Sequence, residues 1–210
     1  SETIEKVRVF DRKSGEILEL SNLDCQFSYR TSIFNSTQKE RFIVLSVTFK
    51  LNLNGEPKIV YKDLREFFEN RKPTLLETRE AVCKIRSEKA MLVRQGGLDS
   101  QSAGSFFKNP IVSNEYFVEM SKKFGEAIPS YKVDDNLVKI PAAWLIEKTG
   151  FQKGFTKGKA GLSTKHTLAL TNRGDAKALD LLALKEEIQI KVKDRFGVEL
   201  HPEPVFVGQF

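Results

Sequence analysis

Cysteine is nearly absent, with Cys25 and Cys83 the two thiols in a chain of 210 residues. Two thiols so far apart exclude a disulfide framework and a zinc site of closely spaced ligands. The expectation is two free thiols in a reducing compartment and no metal. Long hydrophobic runs are also missing. Nothing approaches the roughly 20 apolar residues that span a bilayer, and no basic-then-apolar leader opens the sequence. A cytoplasmic chain without a membrane partner is expected. A block of like charge is lacking as well. The formal charge is +6 and the pI is near 9.2, but the cations are spread along the chain. There is no zinc-finger spacing and no RNA-binding aromatic signature, so no nucleic-acid partner is expected. A nucleic-acid binder would lose affinity steeply with salt. An anionic small molecule such as a nucleotide diphosphate accounts for the excess charge equally well. The most cationic window, residues 153–165, interleaves Gly154, Gly158 and Gly161, yet it is not a Walker loop. Lys153 stands where the first glycine is needed, and Ala160 follows Lys159 where a hydroxyl should hold magnesium.

A chain of this length makes one large domain or two small ones, and folding could bury roughly 70% of its extended surface. Val7 and Val9, then Ile17, Leu18 and Leu20, flank a Gly15-containing turn and predict a hairpin. Residues 41–53 are apolar on both alternating faces, the pattern of a central strand covered on both sides. Asn54-Gly55-Glu56-Pro57 turns the chain before a short amphipathic helix over residues 62–68. Thr78, Glu80, Val82 and Ile85 predict a helix reaching about Lys89, with no capping box at Thr78. Helices are also expected over residues 115–124, closed by Gly125, and from Val138 through Pro141 to Gly150. Residues 167–170 read as a short strand. Leu181, Leu184, Ile188, Val192 and Phe196 then step by three, four, four and four, a packing stripe on a long helix that Gly197 closes.

One stretch carries chemistry, Gly104-Ser105-Phe106-Phe107-Lys108-Asn109-Pro110. Gly104 allows close backbone approach, and two buried phenylalanines would hold the hydroxyl of Ser105 in place. Taken alone, the same residues are equally an ordinary turn into a strand with its phenylalanines in the core. With the Cys25-x-Phe27-x-Tyr29-Arg30-x-Ser32-x-Phe34 segment, the stretch closely resembles the GSFFKNP and C-x-F-x-YR-x-S-x-F motifs of the UDP-N-acetylenolpyruvoylglucosamine reductase (UDP-N-acetylmuramate dehydrogenase) family. The resemblance runs from about Val7 to Gly208, and the family's glycine-rich pyrophosphate loops lie upstream of it.

The resemblance implies an α+β chain. The second half of an FAD-binding domain of the vanillyl-alcohol-oxidase type would occupy residues 1–85, with residues 204–210 returning to it. An α/β domain binding the UDP-sugar would occupy residues 86–203. It implies FAD-mediated, NADPH-dependent reduction of the enolpyruvyl double bond of UDP-N-acetylglucosamine-enolpyruvate to UDP-N-acetylmuramate, in peptidoglycan synthesis. Without the upstream part, the chain alone would be a redox-inactive UDP-sugar-binding fragment. By the same resemblance Ser105 is the general acid, Arg30 the cation at the substrate carboxylate, and Glu203 its partner on the other side. Asn109, Lys89, Tyr131 and Lys139 would bind the nucleotide-sugar, and Tyr61 falls where one branch of the family carries a substrate-side tyrosine. Read as residues alone, Arg30 is a solvated cation, Tyr61 a rim tyrosine, and Tyr131 and Lys139 surface positions. The loop over residues 90–102 departs from the commoner Leu-Pro-Asp-Pro form, which makes Lys89 a weaker transfer than Ser105.

Overall fold

The computed structural model describes residues 2–69, 71–92, 97 and 99–208. The chain divides into two compact units, Ser1–Lys58 and Ile59–Phe210.

The first unit is an antiparallel sheet in the order β2-β1-β3, from strands β1 (Ile4–Asp11), β2 (Ile17–Ser21) and β3 (Phe42–Phe49). The expected hairpin is present, with Val9 opposite Leu18 and Val7 opposite Leu20. Alternate residues of β1 point one way, so Val7, Val9 and Asp11 are all buried, and Cys25 joins the two valines in the core. Asp11 is a carboxylate in that row, and its ionisation is held by geometry. The Arg41 guanidinium bonds both of its oxygens, at 2.7 and 3.1 Å, and the Lys13 amide donates to Oδ1 at 2.9 Å. The Arg41 hydrogen bonds, aided by that amide, draw the Asp11 pKa down to about 2. An unfolded aspartate titrates near ~3.9, so the contribution is fully present above that value and is lost as pH falls towards the folded value. Thermal unfolding of the parent is therefore expected to be insensitive to this group between neutrality and about pH 5, then to drop steeply between about pH 4 and 2. Asp11→Asn should lower the midpoint at neutral pH and flatten that acid limb. An unchanged acid limb would remove Asp11 from the account.

Strand β3 corrects one expectation. Among the described residues it pairs only with β1 and lies at the edge of the sheet. Ile43, Val44, Leu45, Val47 and Phe49 are 37–57% exposed. Its apolar residues on both faces promised cover on both faces, and among the described residues no element of this unit supplies it.

The second unit opens with helices α1 (Lys62–Phe68) and α2 (Leu75–Glu88), which share a small core of Leu64, Phe68 and Ala81. Helix α2 begins a turn earlier than Thr78, because its capping box is Thr74-x-x-Glu77. The Glu77 amide donates to Thr74 Oγ1 at 3.2 Å, and the Thr74 amide to Glu77 Oε2 at 2.7 Å. Beyond it, β4 (Ser102–Ser105), β8 (Thr156–Lys157), β9 (Ala160–Leu162) and β10 (Ala169–Asn172) form a sheet ordered β4-β10-β9-β8. A second sheet, β5-β7-β6, is built from β5 (Ile111–Ser113), β6 (Tyr131–Lys132) and β7 (Leu137–Lys139). Every strand pair among the described residues is antiparallel.

Helices α3 (Asn114–Phe124) and α5 (Ala178–Phe196) both stop at a left-handed glycine, Gly125 with φ +65° and Gly197 with φ +66°. The stripe on α5 is the packing face expected, with Leu184, Ile188, Val192 and Phe196 buried against Leu162, Leu170 and Phe151. Helix α4 (Ala142–Lys148) is shorter than expected. Val138 and Lys139 belong to β7, and Pro141 is the cap rather than the first helical residue. A β-branched residue paired on both sides satisfies its backbone in the sheet before the helix begins. Among the described residues no helix is long and apolar enough to cross a membrane.

Candidate active site

The Gly104–Pro110 stretch begins inside β4. Ser102 lies opposite Thr171 and Ser105 opposite Ala169, so β4 carries one residue more than β10 between the two pairs. That is a β-bulge, and bulges re-aim the side chain that follows. Gly104 supplies the necessary left-handed backbone, φ +75°, with open space where a Cβ would stand. Dihedral angle rather than crowding asks for glycine here. Ser105, next in line, is exposed, while Phe106 and Phe107 are buried edge to face with ring centroids 5.3 Å apart.

Both sides of this segment are held. The Phe106 amide donates to Leu168 O at 2.7 Å, and the Lys108 amide to His201 O at 2.9 Å. The Glu203 amide donates to Phe106 O at 2.8 Å, and Phe107 forms a bridge with Pro202. Ser105 and Glu203, nearly a hundred positions apart in sequence, are thus neighbours through the backbone of Phe106.

A second group forms one strand away. Lys139 lies between Ile111 and Tyr131 across the β5-β7-β6 sheet, with its Nζ 5.8 Å from the Tyr131 ring centroid. Asn109 sits just before β5, where its Oδ1 accepts from the Ala142 amide at 2.9 Å and so caps α4. The Ile140 amide donates to Pro110 O at 2.9 Å, tying this sheet to the end of the motif. Asn109, Tyr131 and Lys139 therefore share one neighbourhood.

The other candidates come from other elements. Lys89 caps the C-terminus of α2, its Nζ 2.5 Å from Asp63 Oδ2 of α1. Of the loop after it, residues 93–96 and 98 lie outside the described residues. Tyr61 precedes α1 and is 76% exposed. Arg30 belongs to the first unit, at the tip of a tight turn closed by Ser28 and Thr31, which exchange amide hydrogen bonds at 2.9 and 3.3 Å. Its φ of +55° is left-handed, so an arginine stands where the backbone favours glycine.

Two residues escaped the sequence reading. His166, in the β9–β10 connection, accepts from the Leu168 amide through Nδ1 at 3.0 Å. Burial lowers its pKa, and the charges of Lys153 and Lys89 act the same way against an opposing pull from Glu147; the net shift favours the neutral ring. Asp99 is the other, tied to Thr164, Ser163 and Arg173. A lone acid in a stretch of small polar residues was the available signal for it. Among the described residues no three His, Cys, Asp or Glu side chains are grouped to hold a metal.

The fold has a solved counterpart. The crystal structure of UDP-N-acetylenolpyruvylglucosamine reductase (MurB) from Thermus caldophilus superposes with a TM-score of 0.51 over 94% of this chain and 51% of that one, at 23% identity. That likeness speaks for the fold. The family model described as UDP-N-acetylenolpyruvoylglucosamine reductase, C-terminal domain, matches residues 96–207. The chain belongs to that family. The reductase of Streptomyces coelicolor is 44% identical over 99% of this chain and 57% of its own length. That of Thermobifida fusca is 40% identical over 99% of this chain and 61% of its own. The chain thus spans about three-fifths of the length of these curated relatives.

Proposed function

We propose that the chain is the substrate-handling part of a UDP-N-acetylmuramate dehydrogenase, completed by an upstream FAD-binding part; the relatives it matches are longer than this chain. In this reading residues 1–85 are the second half of the FAD-binding domain, with residues 204–210 returning to it. Residues 86–203 bind UDP-N-acetylglucosamine-enolpyruvate. The boundary between the compact units falls between Lys58 and Ile59, so this reading assigns α1 and α2 to the cofactor side although they fall within the second compact unit. The exposed apolar β3 supports the reading, as surface that the upstream part would cover.

Among the described residues, no glycine-rich loop is left open as a pyrophosphate cradle in the window over residues 153–165. The most glycine-rich window folds as the β8–β9 hairpin and bonds its own backbone. The Gly154 amide donates to Ser163 O at 3.0 Å and the Leu162 amide to Phe155 O at 2.8 Å. The grip on FAD is accordingly assigned to the upstream part. Bound there and reduced by NADPH, FAD would supply the hydride.

The work assigned to this chain is charge stabilisation and proton delivery. The alkene of an enolpyruvyl ether accepts hydride poorly until its conjugated carboxylate is polarised. Arg30 is assigned the positive charge at that carboxylate, and Glu203 the group that orients it. Negative charge spreads into the carboxylate as an enediolate, and the neighbouring carbon takes the proton of the Ser105 hydroxyl. An enediolate carbon is basic enough for a hydroxyl to serve, so placement matters more than a shifted pKa. Asn109, Tyr131 and Lys139 are assigned to the nucleotide-sugar, with Lys89 and Tyr61 reaching it from the helical pair. Distant grip on the diphosphate orients the reacting end.

The observation that carries the reading is the junction of Ser105 with Glu203 through Phe106. Its test is Glu203→Gln in the enzyme with the upstream part present. Flavin reduction by NADPH should stay within about twofold, and reoxidation by the enolpyruvyl substrate should slow by about 10²-fold. A parent rate of reoxidation removes Glu203 from the site. A colourless purified protein that binds the UDP-sugar would favour the chain alone as a redox-inactive binding module.

A further inference from the structure

Residues 99–106 are fastened to the rest of the second unit at successive points, and the first of these is a side chain. Asp99 Oδ1 accepts the Thr164 amide at 2.8 Å, and Oδ2 accepts the Thr164 hydroxyl at 2.6 Å. Arg173 Nη1 lies 3.8 Å from Oδ1, and the Arg173 and Asp99 side chains are only 10% and 13% exposed. Arg173 also donates from Nη2 to Leu162 O and from its backbone amide to Lys159 O, at 2.8 Å for the latter. Its side chain lies across the bare backbone of Gly161. A Cβ built there would stand 2.9 Å from Arg173 Nε and 2.7 Å from Phe155 O. The clasp therefore joins the approach to β4, the β9–β10 connection and the end of β10.

Strand β4 needs such an anchor. It is an edge strand of four residues interrupted by the bulge at Ala103 and Gly104. Slipping the pairing by one residue would turn the face of every side chain that follows. After the clasp the Asn172 amide donates to Gln101 O at 2.9 Å, the bulge takes up its extra residue, and the Phe106 amide closes on Leu168 O. The chain is thus pinned on both sides of Ser105.

We propose that Asp99 is a positioning residue for Ser105: its carboxylate clamps the entry of β4 onto Thr164 and Arg173, so that the bulge forms in one register and aims the Ser105 hydroxyl. The inference rests on the reading of Ser105 as proton donor. Asp99→Asn keeps the shape and loses an acceptor, since an amide nitrogen cannot receive the Thr164 donors. Thr164→Val keeps the amide and loses the hydroxyl.

The test uses the enzyme with its upstream part, each half-reaction measured separately, and amide hydrogen exchange. Asp99→Asn should slow flavin reoxidation by substrate about tenfold through kcat, with KM and flavin reduction by NADPH within about twofold. Thr164→Val should give about a threefold slowing by the same route, and it carries the test if Asp99→Asn does not fold. Combined with Ser105→Ala, Asp99→Asn should add less than about a further twofold, because an effect transmitted through a hydroxyl vanishes with it. The Phe106 amide should exchange about tenfold faster while buried amides of α5 keep their protection. Parent kinetics in Asp99→Asn, equal slowing with and without the serine, or unchanged exchange at Phe106 each overturn the proposal. If Ser105→Ala itself reoxidises at the parent rate, the proton-donor reading falls. The exchange at Phe106 then decides separately whether Asp99 sets the register of β4.

Discussion

Ser105→Ala, in the enzyme with the upstream part present, is expected to leave flavin reduction by NADPH within about twofold and to slow transfer to the alkene by about 10²–10⁴-fold, the range typical of a removed general acid. The asymmetry is the content of the prediction. Ser105 is assigned a proton that moves only in the second half-reaction, so a loss shared by both halves would refute the acid role. Folding should be untouched, because the side chain is exposed and its backbone pairing with Ala169 survives the change. Ser105→Cys sharpens the test. A thiol is the stronger acid and occupies nearly the same place, so it should recover part of the rate. An arrangement in which the serine merely fills space would treat alanine and cysteine alike. A solvent isotope effect on reoxidation in the parent, absent from flavin reduction, would mark the same proton.

Local pattern and long-range closure were not equally legible. The α5 stripe could be read because its apolar residues meet one face at the helical period, and the helix then packs on that face. Gly125 and Gly197 announced helix ends because a left-handed residue is a local requirement. Local signals also misled. Thr78 drew attention from Thr74, whose capping box with Glu77 lies one turn earlier. The apolar faces of β3 reported a cover that its own unit does not supply. Val138 and Lys139 were read into a helix, but pairing with β5 and β6 made them strand.

The site shows the sharper limit. Ser105 and Arg30 stood out by resemblance to a motif, and residue chemistry alone left each with an ordinary structural reading. The backbone closure that sets Glu203 beside Phe106, and the clasp that joins Asp99 to Thr164 across 65 positions, have no local signature. Such contacts are decided when sheet order is decided. Their sequence trace is no more than Asp99 as a lone acid before β4 and Glu203 four residues after Glu199 in the tail.

The strain at Arg30 permits a second large-effect prediction, in which stability and activity part company. At φ +55° a residue with a Cβ pays about 1–2 kcal/mol that glycine does not. Arg30→Gly therefore relieves the turn at Ser28 and Thr31 while giving the unfolded chain more freedom, and the two terms oppose each other. Net stability of the first unit should change by less than about 1 kcal/mol. If Arg30 supplies the charge at the substrate carboxylate, the same variant should slow reoxidation by about 10²–10³-fold. Arg30→Lys should fall between, since it keeps the charge and loses the planar fork that matches a carboxylate. Retained activity in Arg30→Gly would remove the residue from the chemistry. A large fall in unfolding midpoint would instead make its side chain part of the turn's own structure. Stability held and activity lost is the combination that an arginine retained for its charge requires, because the left-handed backbone at this position favours glycine.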